Sequence, residues 1–515
     1  MPLLIHLKCT AAAILLSFSL ISCAQTGPFA PVYEQNCAPC HGKELQGAVG
    51  SALIGTELKH GDSVDELIAS ISEGMPEKGM PGFKTVLSES EIRGLAIYIS
   101  ELRKDQTMAT FNFRKKLDIS DEVIESEKQN FRLEVVAEDL DSWPYSIAPL
   151  PQGGFLLTEK MRGLSIISPD GEQSPLIEGL PEFSTPKEAG KDGLGLIHGL
   201  GWLLDVALHP DYEENGWIYL SYGDRCRECS EFSRTYPYPV SMLRLIRGRI
   251  ENGQWVDQEV IWEVDNEMYT PSPETSLGGR ICFDDQGHLF FSSGAKWYEP
   301  VPQGNMEAYH GIQDIALPFG KIHRIYDDGR IPQDNPFTDS VDAMQSIWTY
   351  GHRSPQGLEV DPATGDLWGT EMGPRGGDEV NYLRPGLNYG WPLVSKGVNY
   401  NGTPVEYGRY LEIEFDSSEI IQPVVDLTPA PAISSFAFCQ DERYPGWTGD
   451  IIVGTLKATQ LYRMEIENGT VVAQETLIDD LARIRDVEMG FDGYLYLLLE
   501  HTKGSKIVRI VPVEE

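Results

Sequence analysis

Arg280-Ile281-Cys282-Phe283 crosses a turn at Gln286-Gly287 into Leu289-Phe290-Phe291. Two short apolar runs joined by a polar, glycine-bearing turn read as a β-hairpin, and the same unit returns along the chain. Ser146-Ile147-Ala148 leads through Gly153-Gly154 into Phe155-Leu156-Leu157, and Val206-Ala207-Leu208 through Asn215-Gly216 into Ile218-Tyr219-Leu220. Leu358-Glu359-Val360 crosses Thr364-Gly365 into Leu367-Trp368, Phe436-Ala437-Phe438 pairs with Ile451-Ile452-Val453, and Val487-Glu488-Met489 pairs with Tyr494-Leu495-Tyr496. Hairpins at this spacing predict an all-β six-bladed propeller over residues 129–515. A propeller holds ligands at the mouth of its central channel, on loops from several blades, so its site residues are expected to be scattered along the sequence.

Upstream of the repeats the pattern changes. Cys37-Ala38-Pro39-Cys40-His41 has the C-x-x-C-H spacing of covalent c-type haem attachment, in which both thiols bind the haem and His41 ligates iron. Met80, in Gly79-Met80-Pro81-Gly82-Phe83, is the candidate distal iron ligand, with Met75 as its rival. His/Met ligation raises the reduction potential and suits electron transfer. Residues 27–104 alternate short helical patterns with Gly/Pro loops, which predicts a small all-α cytochrome c domain. Ser88-Glu89-Ser90-Glu91 carries a capping pattern, and Ile92, Leu95, Ile99 and Leu102 fall on one face of the helix that follows. Residues 105–128 are charged and weakly periodic and read as a linker.

At the start, Lys8 precedes an apolar run from Ala11 to Ile21, too short for a membrane span and of signal-peptide length. Leu20-Ile21-Ser22-Cys23 resembles a bacterial lipobox. The expectation is a signal peptide over 1–22, lipidation of Cys23 and a polar tether over 23–26, which makes an exported, membrane-anchored lipoprotein. An ordinary signal peptide with an incidental cysteine is the alternative. Lys and Arg number 41 against 78 Asp and Glu, a formal charge of -37. Such acidity repels phosphate backbones and excludes nucleic acid as a partner. Cys226 and Cys229 have metal or haem spacing, but Ser230 stands where a haem histidine belongs, so a loop disulfide is expected. Cys282 and Cys439 lie in apolar strand contexts and read as buried thiols.

The loops of the large domain carry a resemblance. Leu203-Leu204-Asp205-Val206-Ala207-Leu208-His209-Pro210-Asp211, Gly351-His352-Arg353-Ser354-Pro355-Gln356-Gly357, Gly373-Pro374-Arg375-Gly376-Gly377-Asp378-Glu379, Asn388-Tyr389-Gly390-Trp391-Pro392 and Arg483-Ile484-Arg485-Asp486-Val487 resemble the soluble PQQ-dependent glucose/sorbosone (aldose sugar) dehydrogenases. The resemblance runs from about Phe131 to Val513. It implies a PQQ cofactor over the channel mouth, oxidation of a sugar at C1 to the lactone, and a calcium ion that polarises the quinone. By the same resemblance Lys457, Arg483, Arg485 and Arg353 are the cations that pair with PQQ, and Gly373 and Pro374 supply carbonyls to Ca²⁺. Asp378 and Glu379 either order that loop or assist the metal.

Departures from the family pattern are concentrated in its catalytic positions. Ser276 stands where the family has its catalytic histidine, Ala295 where a Gly-Asp aspartate is usual, Leu200 for a site glutamine and Ser354 for an asparagine. Serine cannot take a hydroxyl proton at neutral pH without a base of its own. His198 and Glu274 are the candidate relocated bases, each two residues from a lost site position. The leading expectation is therefore a quinoprotein oxidoreductase acting on a sugar-like small molecule, passing electrons to the fused haem c and on to a downstream acceptor. The alternatives are a divergent propeller that binds a glycan or protein beside a haem relay, and a structural platform for the cytochrome.

Overall fold

The computed structural model describes residues 27–106, 117–183, 190–191, 197–235, 239–271, 277–296, 311–405, 407 and 413–513. Cys23, Glu274 and Ser276 fall outside these residues, as does the side chain of His198. Among the described residues no helix is long and apolar enough to cross a membrane.

The amino-terminal domain is a set of short helices, α1 (Ala30–Asn36), α2 (Ala38–His41), α3 (Val64–Glu73) and α4 (Glu89–Arg103). Helix α4 starts where the capping pattern predicts. Ser88 Oγ accepts from the Glu91 backbone N–H, and the Glu91 carboxylate accepts from the Ser88 N–H at 2.9 Å. Two otherwise orphaned donors are thereby satisfied. Ile92, Leu95 and Ile99 turn into a core shared with Phe29, Tyr33 and Cys37. The opposite side of α4, which the hydrophobic stripe leaves out, meets the propeller.

Five four-stranded sheets and one three-stranded sheet form the blades. Each predicted hairpin supplies the first two strands of one blade, with register pairs Ile147↔Leu157, Val206↔Leu220, Ile281↔Phe291, Val360↔Leu367, Phe436↔Val453 and Val487↔Leu497. Blade 1 begins at Pro144–Pro149, blade 2 at Leu203–Leu208, blade 3 at Gly278–Phe283, blade 4 at Pro355–Val360, blade 5 at Ile433–Phe438 and blade 6 at Arg483–Met489. These first strands contact one another in a closed ring. Phe131–Leu140, which precedes blade 1, pairs antiparallel with Ser505–Pro512 and becomes the outermost strand of blade 6. The chain start thus closes the ring onto the chain end.

Polar side chains lock neighbouring blades. Arg280, fully buried, donates to Asp205 Oδ1 (3.2 Å), Asp486 Oδ1 (2.7 Å) and the Gln356 carbonyl (2.7 Å), and so joins blades 2, 3, 4 and 6 across the channel. Asp205 and Asp486 use their second oxygens on the Ile281 and Ile147 N–H groups. Every oxygen of this buried network is thereby used, as a low-dielectric site demands.

The linker reading needs correction over its described part. Leu117, Ile119 and Ile124 pack on the core of blades 5 and 6, and Lys128 pairs with Glu465 at 2.6 Å. The apolar residues are too few to give a helical or strand period, yet enough to bury the segment against a surface supplied from elsewhere. Cys226 and Cys229 are bonded to each other, and Cys282 and Cys439 are buried free thiols, as the sequence suggests.

Candidate active site at the channel mouth

Within every blade the first strand starts, and the second ends, at the same mouth of the channel. The register pairs Pro144↔Glu159, Leu203↔Tyr222, Gly278↔Ser293, Pro355↔Glu371, Ile433↔Thr455 and Arg483↔Glu500 mark that level. Residues just beyond it line the mouth. Arg353 precedes blade 4, Gly373 follows its second strand, Lys457 follows the second strand of blade 5, and Arg483 and Arg485 open blade 6. Positions more than a hundred residues apart are thus brought together, as a propeller predicts. Leu200, Leu277 and Ala295 lie at this mouth as well.

Arg483 and Arg485 project to one side of their strand, with a bulge between Ile484 and Asp486. Both meet Glu500, Arg483 Nε at 3.1 Å from Oε1 and Arg485 Nε at 2.8 Å from Oε2. Lys160 Nζ stands 3.9 Å from the same carboxylate. Burial alone pushes Glu500 up, but Arg485, Arg483 and Lys160 together outweigh it and hold the carboxyl well below the usual range. One carboxylate therefore serves three cations, and the cluster keeps a net positive charge.

Lys160 and Glu500 were not singled out by the sequence reading. Glu500 ends the second strand of blade 6 and Lys160 directly follows the second strand of blade 1, each after an apolar run, and that terminal position is the signal that could have found them. Lys160 lies near the rings of Tyr145 and Trp202 (5.7 and 5.5 Å). Burial, reinforced by Arg485, pushes its ammonium down to about 7. Lys457 is 6% exposed, and its Nζ makes one long hydrogen bond, 3.3 Å to the Pro429 carbonyl. Burial lowers its pKa too. Arg353 donates through Nη1 to the Met372 and Gly373 carbonyls (2.9 and 2.8 Å), while its buried Nε has no partner.

The donor set can be compared with the groups that the resemblance implies. Buried cations with unused donors at Lys457 and Arg353 fit a flat polycarboxylate such as PQQ. Calcium fits less well. The Gly373 carbonyl is already taken by a guanidinium, and both Asp378 oxygens accept backbone N–H groups, from Gly373 and Ile433 at 2.9 Å each. Calcium takes six to eight oxygens, so these residues on their own do not make a calcium site. Asp378 acts in ordering the loop. Burial pushes its carboxyl up to about 6, and in the same cluster burial and Glu371 raise Glu379.

In the small domain, His41 Nδ1 lies 2.8 Å from the Ser51 carbonyl. A proton on Nδ1 donates there and leaves Nε2 for iron. Cys37 and Cys40 are free thiols flanking that turn, so the three residues fit a covalently held haem. Met75 and Met80 face each other across an antiparallel bridge, with Met75 N donating to Met80 O at 2.8 Å.

The two domains meet at the same mouth. Glu101 of α4 pairs with Arg375, which follows Gly373 and Pro374, and Arg375 also stacks over Phe29 at 5.5 Å. Arg93 donates to the Lys396 carbonyl, and Gln106 to Gln460 in the loop between the second and third strands of blade 5. Gly376, with φ +86°, leaves room for this approach, because a Cβ there would sit 3.2 Å from Ile97 Cδ1. A cavity of about 580 Å³ lies between the domains, lined by Lys457, Arg483, Glu500 and His501 on the propeller side and by Lys104 and Asp105 on the other.

Comparison with known proteins agrees with this division. Residues 141–509 match the family described as Glucose / Sorbosone dehydrogenase, and residues 24–99 match that described as Cytochrome C oxidase, cbb3-type, subunit III. Aldose sugar dehydrogenase YliI of Escherichia coli (strain K12) is 31% identical over 388 residues, which covers 74% of this chain and 92% of the relative. The apo crystal structure of the soluble Aldose sugar dehydrogenase of Escherichia coli superposes with a TM-score of 0.60 at 29% identity, covering 74% of this chain and 100% of that one. Cytochrome c55X of Paracoccus denitrificans (strain Pd 1222) is 35% identical over 65 residues, or 13% of this chain and 62% of the relative.

Proposed function

The chain belongs to the Glucose / Sorbosone dehydrogenase family and carries a cytochrome c domain, and from that premise we propose that it is a PQQ-dependent oxidoreductase of sugar-like substrates that passes electrons to its own haem. The observation that carries this reading is the convergence of Lys160, Arg353, Lys457, Arg483 and Arg485 at one channel mouth, with the haem domain seated on the rim of that mouth. PQQ, when bound, supplies the two-electron acceptor chemistry. The chain does the rest. Lys457 and Arg353 hold carboxylates with donors that are otherwise unused, Arg483 and Arg485 add charge while Glu500 fixes their direction, and the rings of Tyr145, Trp202 and Trp391 wall the site.

Taking the substrate's hydroxyl proton falls to His198 or Glu274 in this reading. Attachment to a membrane through Cys23 belongs to the same proposal, and a Cys23→Ser chain is expected to leave the membrane fraction.

The test is a titration of PQQ, with calcium present, into the haem-loaded chain and into Lys457→Ala. Saturable binding that weakens in the variant, followed by haem reduction on adding a sugar, supports the reading. A parent chain that does not bind PQQ overturns it and leaves a haem relay beside a propeller that recognises a glycan or protein.

A further inference from the structure

We infer that the cavity between the haem domain and the propeller is a composite site for a polycarboxylate ligand, closed by the haem domain, so that the ligand enters or leaves only when the Arg375–Glu101 contact opens. This rests on the PQQ reading above and adds to it which wall the haem domain supplies and what controls exchange.

The inner wall is the propeller's. Lys457 and Arg483 are buried there, and the Lys457 ammonium, left with one 3.3 Å bond, lacks an anionic partner of its own in hydrogen-bonding contact. A ligand carboxylate would fill that place. The outer wall comes from the end of α4 and the residues after it: Lys104 and Asp105 stand exposed at the rim, opposite the exposed Asp479 and Asp480. Aspartates on both sides of the opening repel a carboxylate left near solvent and direct the ligand's charge inward, toward Lys457 and Arg483. Lys104 is the cation that the haem domain contributes.

The outer wall is held by a latch. Arg375 and Glu101 are 5% and 1% exposed and joined by two hydrogen bonds. Phe29 packs under the guanidinium and Ile97 against Gly376. A small domain fixed this way narrows the opening of a cavity of about 580 Å³ to the gap between Lys104 and Asp105 on one side and Asp479 and Asp480 on the other.

The experiment uses the full haem-loaded chain, with PQQ as the probe and its association and dissociation rates read by rapid mixing and displacement. Arg375→Gln and Glu101→Gln, which release the latch from opposite sides, should each raise both rate constants by tenfold or more. The equilibrium affinity should change by less, and the double variant should add nothing to either single one. Lys104→Glu should weaken affinity several-fold. Agreement between the two single variants separates an opened latch from a locally disturbed loop. Rates equal to the parent's in both variants overturn the composite site while PQQ binding, and with it the functional reading, stands. A parent chain that does not bind PQQ overturns the functional reading and this inference together.

Discussion

Arg375, in the loop after the second strand of blade 4, and Glu101, in the last turn of helix α4, form a buried two-point ion pair with N···O distances of 3.1 and 2.5 Å. The pair joins the haem domain to the loop that holds Gly373 and Pro374. Removing one member strands a charge in a dry interface, which costs about 3–5 kcal/mol. Arg375→Ala and Glu101→Ala should each lower the stability of the joined state by roughly that amount. Replacing both by apolar residues should cost less than either alone. Denaturant unfolding followed separately by haem absorbance and by tryptophan fluorescence would show it, with the two transitions moving apart in the single variants.

Glu500 restrains the cationic cluster in the free protein and competes with any anionic ligand for it. Glu500→Gln should therefore destabilise the ligand-free chain, since Arg483 and Arg485 lose their shared partner, and should tighten PQQ binding. Opposite signs in thermal unfolding and in titration are the expected signature. A loss of both stability and affinity would mean that Glu500 acts mainly by shaping the cradle.

Lys160 gives the site a pH dependence of definite sign. Its ammonium is at about 7 in the fold and near 10.4 in an unfolded chain. Between those values the unfolded state holds the additional proton, so stability rises with pH across the window and is flat below it with respect to this group. A bound carboxylate favours the charged form, so PQQ binding above pH 7 should take up a proton. Calorimetric titration in two buffers of different ionisation enthalpy measures the uptake, and Lys160→Met should abolish it.

Lys457 offers its charge with little competition from the protein. Lys457→Ala should weaken PQQ binding by about 1.5–3 kcal/mol, the worth of a charge-assisted hydrogen bond, with little loss of stability because the side chain makes a single long bond. In the absence of PQQ, calcium titrated into the chain should show no tight binding at this mouth, since Arg353 already uses the Gly373 carbonyl.

The two methionines across the bridge are separable by potential. Met80→Leu should lower the haem midpoint potential and change the visible spectrum, because it removes the thioether ligand. Met75→Leu should leave both nearly unchanged. The reverse result would assign the ligand to Met75.

Local chemistry was legible from the amino-acid order. A hairpin is specified by residues within about ten positions, a capping box by Ser88 and Glu91, and haem attachment by Cys37, Cys40 and His41. The hairpins and the capping box appear where they were expected. The candidate cations came from the family's loop patterns, and the ring of blades brings them to one mouth. The packed segment 117–128 was misread because its few apolar residues carry no period, and what covers them lies hundreds of positions away in blades 5 and 6.

The sequence by itself determined the six repeats, the haem-binding turn and the identity of the candidate cations, because each depends on side-chain type and short spacing. Only the tertiary structure decided how charge is shared. Glu500 serves Arg483, Arg485 and Lys160 together, Arg353 turns to the Gly373 carbonyl, and Glu101 reaches Arg375 across 274 positions. The physical reason is that the strength of an ion pair and the acidity of a buried group depend on distance and desolvation in space. Neither is a property of neighbours along the chain, and both arise here from the closing of the propeller ring and the seating of the haem domain on its rim.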